Sequence, residues 1–93
     1  MPLGQRHYRA YEKIAKGFAS HRRIEILDAL ERTPNLMVFD IAEILGINFR
    51  TASEHTRKLV AAELVTKQYQ GQAVHHRITP LGTTVLKFLK SLG

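Results

Sequence analysis

Arg50 and Arg57 stand seven residues apart in the run Phe49-Arg50-Thr51-Ala52-Ser53-Glu54-His55-Thr56-Arg57-Lys58. A guanidinium is a planar fork of donors that fits guanine O6 and N7 or a phosphate. Thr51 and Ser53 carry hydroxyls suited to phosphate or base-edge contacts. Glu54 can accept from a cytosine amine, or it can pair with Lys58 one turn on. At helical spacing Ala52, Thr56 and Leu59 share an inward face, while Phe49, Arg50, Ser53, Glu54 and Arg57 point elsewhere. A second polar set surrounds Gly71: Lys67, Gln68, Gln70, Gln72, His75 and Arg77. These types suit contact with a polyanion more than covalent chemistry.

Other chemistries find little footing. The chain has no cysteine, so disulfides, thiolate metal sites and a cysteine nucleophile are excluded. His75 and His76 are neighbours and face opposite sides of a strand. His7, His21 and His55 fall on separate helices, and only His21 has a carboxylate one turn away, Glu25, which is too few ligands for an ion, so no metal site and no cofactor are expected. Ser20, Ser53 and Ser91 sit at caps or on helix faces without an elbow motif, and no glycine loop cradles a phosphate.

The elements that must position the polar sets are read from hydrophobic spacing. Tyr8, Tyr11, Ile14, Ala15, Phe18 and Ala19 mark a helix over residues 8–19. Ser20 is the expected hydroxyl cap of a second helix, which carries Ile24, Ile26, Leu27 and Leu30 and stops before Pro34. Leu36-Met37-Val38 reads as a short strand. Asp40 to Leu45 is a short helix, with acidic Asp40 at its start and Gly46 left-handed past its end. Asn48 then caps a helix of about residues 49–62. Leu64–Tyr69 and Ala73–Ile78 are strands joined by a turn at Gln70-Gly71-Gln72, forming a hairpin of about residues 64–78. Thr79 caps a last helix with Pro80 in its first position. Two helices joined by a tight glycine turn make a helix-turn-helix, and the hairpin behind it makes a wing. The fold class is α+β, mostly helical: one winged helix-turn-helix domain over residues 1–93, with terminal helices available for dimerisation.

Four of these segments together resemble the ArsR-type winged helix-turn-helix transcriptional regulators, with MarR-type regulators as near neighbours. Phe18-Ala19-Ser20-His21-Arg22-Arg23-Ile24-Glu25-Ile26-Leu27 looks like their opening signature. Asp40-Ile41-Ala42-Glu43-Ile44-Leu45-Gly46-Ile47 is similar to the first helix and turn of their DNA-reading unit, and Thr51 to Leu59 to their recognition helix. Leu64-Val65, the Gly71 turn and Ile78-Thr79-Pro80-Leu81-Gly82 resemble the wing and closing helix. The resemblance covers about residues 18–82. It implies a DNA-binding regulator, a repressor more than an activator. The chain departs from the family in three ways: Thr56 replaces a core leucine, Glu63 replaces a corner glycine, and the cysteine metal motif is missing.

The site this implies joins Asn48, Phe49, Arg50, Thr51, Ser53, Glu54, Arg57 and Lys58 of the recognition helix to Lys67, Gln70, Gln72 and Arg77 of the wing. The apolar stripes Tyr8, Tyr11, Ile14, Phe18 and Val85, Phe88, Leu89, Leu92 are expected to form a twofold dimer interface, as the terminal helices do in ArsR-like proteins. Such a dimer sets two recognition helices roughly 34–36 Å apart on double-stranded DNA.

Composition agrees with this reading. Ninety-three residues with 44% hydrophobic and 24% charged are ordinary globular usage. Net charge is +6, and it is segregated. Residues 1–24 set six cations against Glu12; residues 25–49 set Arg32 against five carboxylates; residues 50–93 set seven cations against Glu54 and Glu63. Two basic stretches flanking an acidic one are the footprint of a polyanion binder. No apolar run is long enough for a membrane span, and Met1 to Arg9 lacks the apolar core of a secretory leader. A cytoplasmic protein that is not an enzyme is expected, with no effector implied. The rival reading is a winged-helix protein–protein docking module of transcription or replication machinery.

Overall fold

The described residues of the computed structural model are Gln5–Gly93. Met1–Gly4, where a secretory leader would begin, lie outside them. In order they form α1 (Gln5–Phe18), α2 (His21–Arg32), α3 (Val38–Leu45), α4 (Phe49–Ala61), β1 (Val65–Gln70), β2 (Ala73–Ile78) and α5 (Pro80–Ser91). The core gathers one apolar face from nearly every element: Ile26, Leu27 and Leu30 of α2, Ile41 of α3, Ala52 and Leu59 of α4, Val65 of β1 and Leu86 of α5 are all buried, with Leu64 beside them. α3 and α4 pack on α2 and carry the helix-turn-helix, and the antiparallel β1–β2 pair stands beside α4. The winged helix-turn-helix class expected from the sequence is the one observed.

Three local expectations need correction. Ser20 occupies the cap of α2 but its hydroxyl makes no capping bond; its carbonyl accepts Ile24 N–H instead, at 3.0 Å. The first helix ends at Phe18 rather than Ala19 because the Arg23 guanidinium takes up the Lys16 carbonyl at 2.7 Å, closing the helix end from α2. The strand expected at Leu36–Val38 shrinks to one bridge, Leu36 opposite His76. Asp40 accepts Met37 N–H at 3.0 Å, which draws the start of α3 forward to Val38 and leaves no room for a strand.

Two of the family departures find physical explanations. Thr56 is buried like the leucine it replaces, and its hydroxyl is satisfied by the Ala52 carbonyl at 2.8 Å. Glu63 has φ 62. Its N–H reaches the Val60 carbonyl and Leu64 N–H reaches the Leu59 carbonyl, both at 3.0 Å. This pairing is the Schellman end of a helix, which favours glycine at the left-handed position. A side chain in the left-handed region costs about 1–2 kcal/mol. Glu63→Gly is therefore expected to stabilise the protein by about 1 kcal/mol, after glycine's extra backbone entropy is subtracted. Chemical denaturation of the two proteins measures it, and a destabilised variant contradicts the strain at this corner.

Candidate nucleic-acid interface

Gly46, left-handed at φ 67, stops α3. Two residues on, Asn48 Oδ1 accepts Thr51 N–H at 2.9 Å and starts α4. The turn is so short that α4 leaves the core with its first residues, Phe49, Arg50 and Thr51, exposed. A helix N-terminus carries partial positive charge, and the first turn of α4 holds no carboxylate to cancel it.

The exposed surface of α4 divides into three stripes. Phe49, Ser53 and Arg57 line a cleft against the wing. Arg50 and Glu54 follow one turn apart, both exposed and outermost. On the far side His55 accepts Arg23 Nε–H at 3.1 Å. Lys58 belongs to that side too: it borders a separate cationic cleft with Lys13, Lys16 and Arg23. Glu54 and Lys58 form no ion pair among the described residues.

The wing residues are likewise split, by the two-residue period of a strand. Lys67 pairs in register with His76, and Tyr69 with Val74. Lys67, Val74 and His76 line the cleft against α4, joined by Gln72 of the turn. Thr66 pairs with Arg77, and Gln70 with Ala73, so Arg77 and Gln70 lie on the other face of the hairpin. The structure thus brings Phe49, Ser53, Arg57, Lys67 and Gln72 to one cleft of about 370 Å³ and leaves Arg77, Gln70 and Lys58 outside it.

Several residues of this region escaped the sequence reading. Met37, Val38 and Phe39 line the same cleft; assigned to a strand and loop, they had no face. His76 is buried at 3% exposure. Its Nδ1 meets the Leu36 carbonyl at 3.1 Å while His75 Nδ1 meets the Asn35 carbonyl at 2.8 Å, so the two histidines pin consecutive residues of the segment before α3. The signal available in sequence was their position in the strand opposite Lys67 and Gln68.

Burial lowers the pKa of His76 against the opposing pull of the Leu36 carbonyl. Burial, then the charges of Arg23 and Lys58, lower that of His55. Both imidazoles are thus neutral in the fold at a pH where the unfolded chain binds a proton. Their contribution is complete above the ordinary value of 6.5 and is lost as pH falls below it. Stability measured by chemical denaturation is expected to be lower at about pH 5.5 than at about pH 7.5. Equal midpoints would contradict the neutral burial of His76.

The terminal stripes are partly consumed by the core. Ile14, Phe18 and Val85 pack against it, and Leu89 is half-buried. Tyr8 and Tyr11 are each 49% exposed, Phe88 59% and Leu92 67%. α5 is held to α2 by Lys90, whose Nζ lies 3.0 Å from Asp28 and 3.2 Å from Glu31. Among the described residues no helix is long and apolar enough to cross a membrane.

Known proteins bear the same arrangement. Residues 20–67 match the model of the bacterial regulatory proteins of the arsR family. No curated protein sequence matches the chain. Among solved structures it is similar to the homodimeric winged helix-turn-helix DNA-binding domain of a possible ArsR-family regulator from Mycobacterium bovis, at 24% identity and TM-score 0.84, covering 99% of this chain and 88% of that one. It is also similar to the transcriptional repressor PagR of Bacillus anthracis, at 23% identity and TM-score 0.81, covering 92% and 99%. A third likeness is to the transcriptional regulator HlyU from Vibrio vulnificus, at 25% identity and TM-score 0.75, covering 95% and 92%. The chain belongs to the ArsR family of bacterial regulatory proteins and is a DNA-binding transcriptional regulator.

Proposed function

We propose that the protein is a cytoplasmic homodimeric repressor that places α4 in the major groove of an operator and lays its wing along the adjacent backbone. The observation that carries this is the exposed face of α4, whose first turn holds no carboxylate, with Arg50 outermost and Arg57 lining one cleft with Lys67 of the wing. Arg50 and Arg57 take guanine edges or phosphates. Phe49 packs on thymine methyls, and Asn48, Thr51, Ser53 and Glu54 complete the base and phosphate contacts. Lys58, Gln70 and Arg77, which lie off the cleft, fit flanking phosphates, while Lys67 and Gln72 approach from the wing. Cations and amides suited to a polyanion favour a binding protein over an enzyme.

The dimer rests on the apolar area that α1 and α5 leave in water: Tyr8, Tyr11, Phe88 and Leu92, continued inward by Ile14, Phe18, Val85 and Leu89. The homodimeric Mycobacterium bovis domain supports it. The repressor PagR supports the sign of regulation, since a protein that covers its operator blocks access to it.

Duplex binding measured over a salt series tests the reading. Each phosphate contact steepens the slope of log affinity against log salt by about 0.9, and Arg50→Ala or Arg57→Ala is expected to cost about 1–3 kcal/mol of affinity. A base-reading arginine relaxes specificity at one position; a phosphate-gripping one weakens all sequences alike. Folded variants that bind duplex as tightly as the wild type, or a flat salt response, point to the protein–protein docking module instead.

A further inference from the structure

We propose that the cleft between α3, α4 and the wing is a binding site for a small apolar organic anion, an aromatic carboxylate of one or two rings. Its volume of about 370 Å³ falls near the small end of ligand pockets, which span roughly 300–1,000 Å³. Its walls are mainly apolar and include two aromatic side chains with unusual exposure, Phe39 at 60% and Phe49 at 57%. A flat ring lying between them and Val74 removes apolar surface from water, which is the driving force such sites use.

Charge decides what else the occupant carries. Arg57 and Lys67 enter the cleft from opposite walls, and no carboxylate lines it. Neither side chain forms an ion pair among the described residues. His76 forms part of the floor, and its Nδ1–H is already given to the Leu36 carbonyl. The neutral ring supplies no charge of its own, so an anionic head group is matched by Arg57 and Lys67. A carboxylate bridging a guanidinium and an ammonium makes charge-assisted hydrogen bonds in a partly water-excluded site, where they are strongest.

The position gives the site a consequence. Phe49, Arg57 and Lys67 are also assigned to DNA, so on that reading the ligand and the operator compete for the same side chains. Binding of the anion then lowers DNA affinity without any change of conformation, in proportion to its occupancy of the free protein.

The probe is 2-naphthoate, with neutral 2-naphthamide as its uncharged counterpart, titrated into the protein by calorimetry and followed by backbone amide spectra. The naphthoate is expected to saturate one site per chain, to move the amides of Val38, Phe49, Arg57 and Lys67, and to bind about tenfold more tightly than the amide. Lys67→Ala, an exposed change on the wing, removes one of the two cations and is expected to reduce that distinction, and its combination with Arg57→Ala to erase it. Val74→Trp is expected to fill the cleft and abolish binding of both. Equal affinity of naphthoate and naphthamide in the wild type overturns the proposal. So do amide changes confined to other surfaces, or a folded Lys67→Ala that keeps the full preference. Should Val74→Trp fail to fold, Lys67→Ala carries the test alone. Adding a labelled duplex separates this proposal from the DNA reading. Displacement by naphthoate supports both; cleft binding that leaves the duplex bound keeps the ligand site and removes the cleft from the DNA face.

Discussion

Phe88→Glu is expected to convert the dimer to a monomer and to lower affinity for a palindromic duplex by about 10²–10⁴-fold, the factor that linking two binding events confers. Phe88 is 59% exposed on α5, so its replacement removes nothing from the protomer core and the variant should fold. On the proposed interface the new carboxylate meets its twin across an apolar surface, and burying it without a partner costs more than the lost contact. Each protomer keeps a complete recognition helix and wing, so half-site binding survives while the palindrome loses its second anchor. Light scattering reads the first effect and duplex titration the second. A folded variant that remains dimeric at wild-type concentrations moves the interface away from α5.

Gly82→Val is expected to destabilise the fold by about 3 kcal/mol or more, at the upper end of overpacking changes. Gly82 sits in the first turn of α5, where Thr79 Oγ1 accepts its N–H at 3.0 Å. The same Thr79 donates its hydroxyl to the Glu63 carbonyl at 2.7 Å and its N–H to the Leu64 carbonyl at 3.1 Å. These bonds clamp α5 on the corner between α4 and β1. A Cβ at position 82 runs into the Leu64 carbonyl oxygen and stands 2.7 Å from Ile78 Cγ1. The carbonyl belongs to that clamped corner and cannot retreat as a flexible side chain would. A native domain holds only about 5–15 kcal/mol of stability in total, so a loss of this size is a large part of it. The denaturation midpoint measures it; a change below about 0.5 kcal/mol, the range of ordinary surface substitutions, would show that α5 can lift off the corner freely.

The two expectations share a route. Gly82 seats α5 on the corner that follows the recognition helix, and Lys90 ties the other end of α5 to Asp28 and Glu31 of α2. The helix assigned to the dimer is thereby fixed to the helix assigned to DNA, so the separation of two recognition helices is set by packing rather than by a flexible link.

What the amino-acid sequence determined by itself is the set of elements and the outward face of one helix. Each depends on interactions within a few residues. Asn48 meets a backbone N–H three residues on, Gly46 takes the left-handed end of α3, Thr79 and Pro80 start α5, and the spacing of Ala52, Thr56 and Leu59 turns Arg50 and Arg57 away from the core. Even the strained corner at Glu63 is local, because the chain must reverse between a helix and a strand there. Tertiary structure decided the rest. Leu36 to Val38 became a bridge and a helix start because Asp40 and His76 claimed the backbone polar groups. The wing's cations parted because only the face of Lys67 and His76 turns toward α4. Lys58 went to the far side with Lys13, Lys16 and Arg23 because α1 and α2 pack against that flank of α4. The cleft of Phe39, Phe49, Arg57 and Lys67 exists only where three elements meet, and its residues are spread from the start of α3 to β2. Helical and strand periodicity assign a side chain to a face of its own element; which elements then confront one another is settled by how the apolar faces close over a shared core.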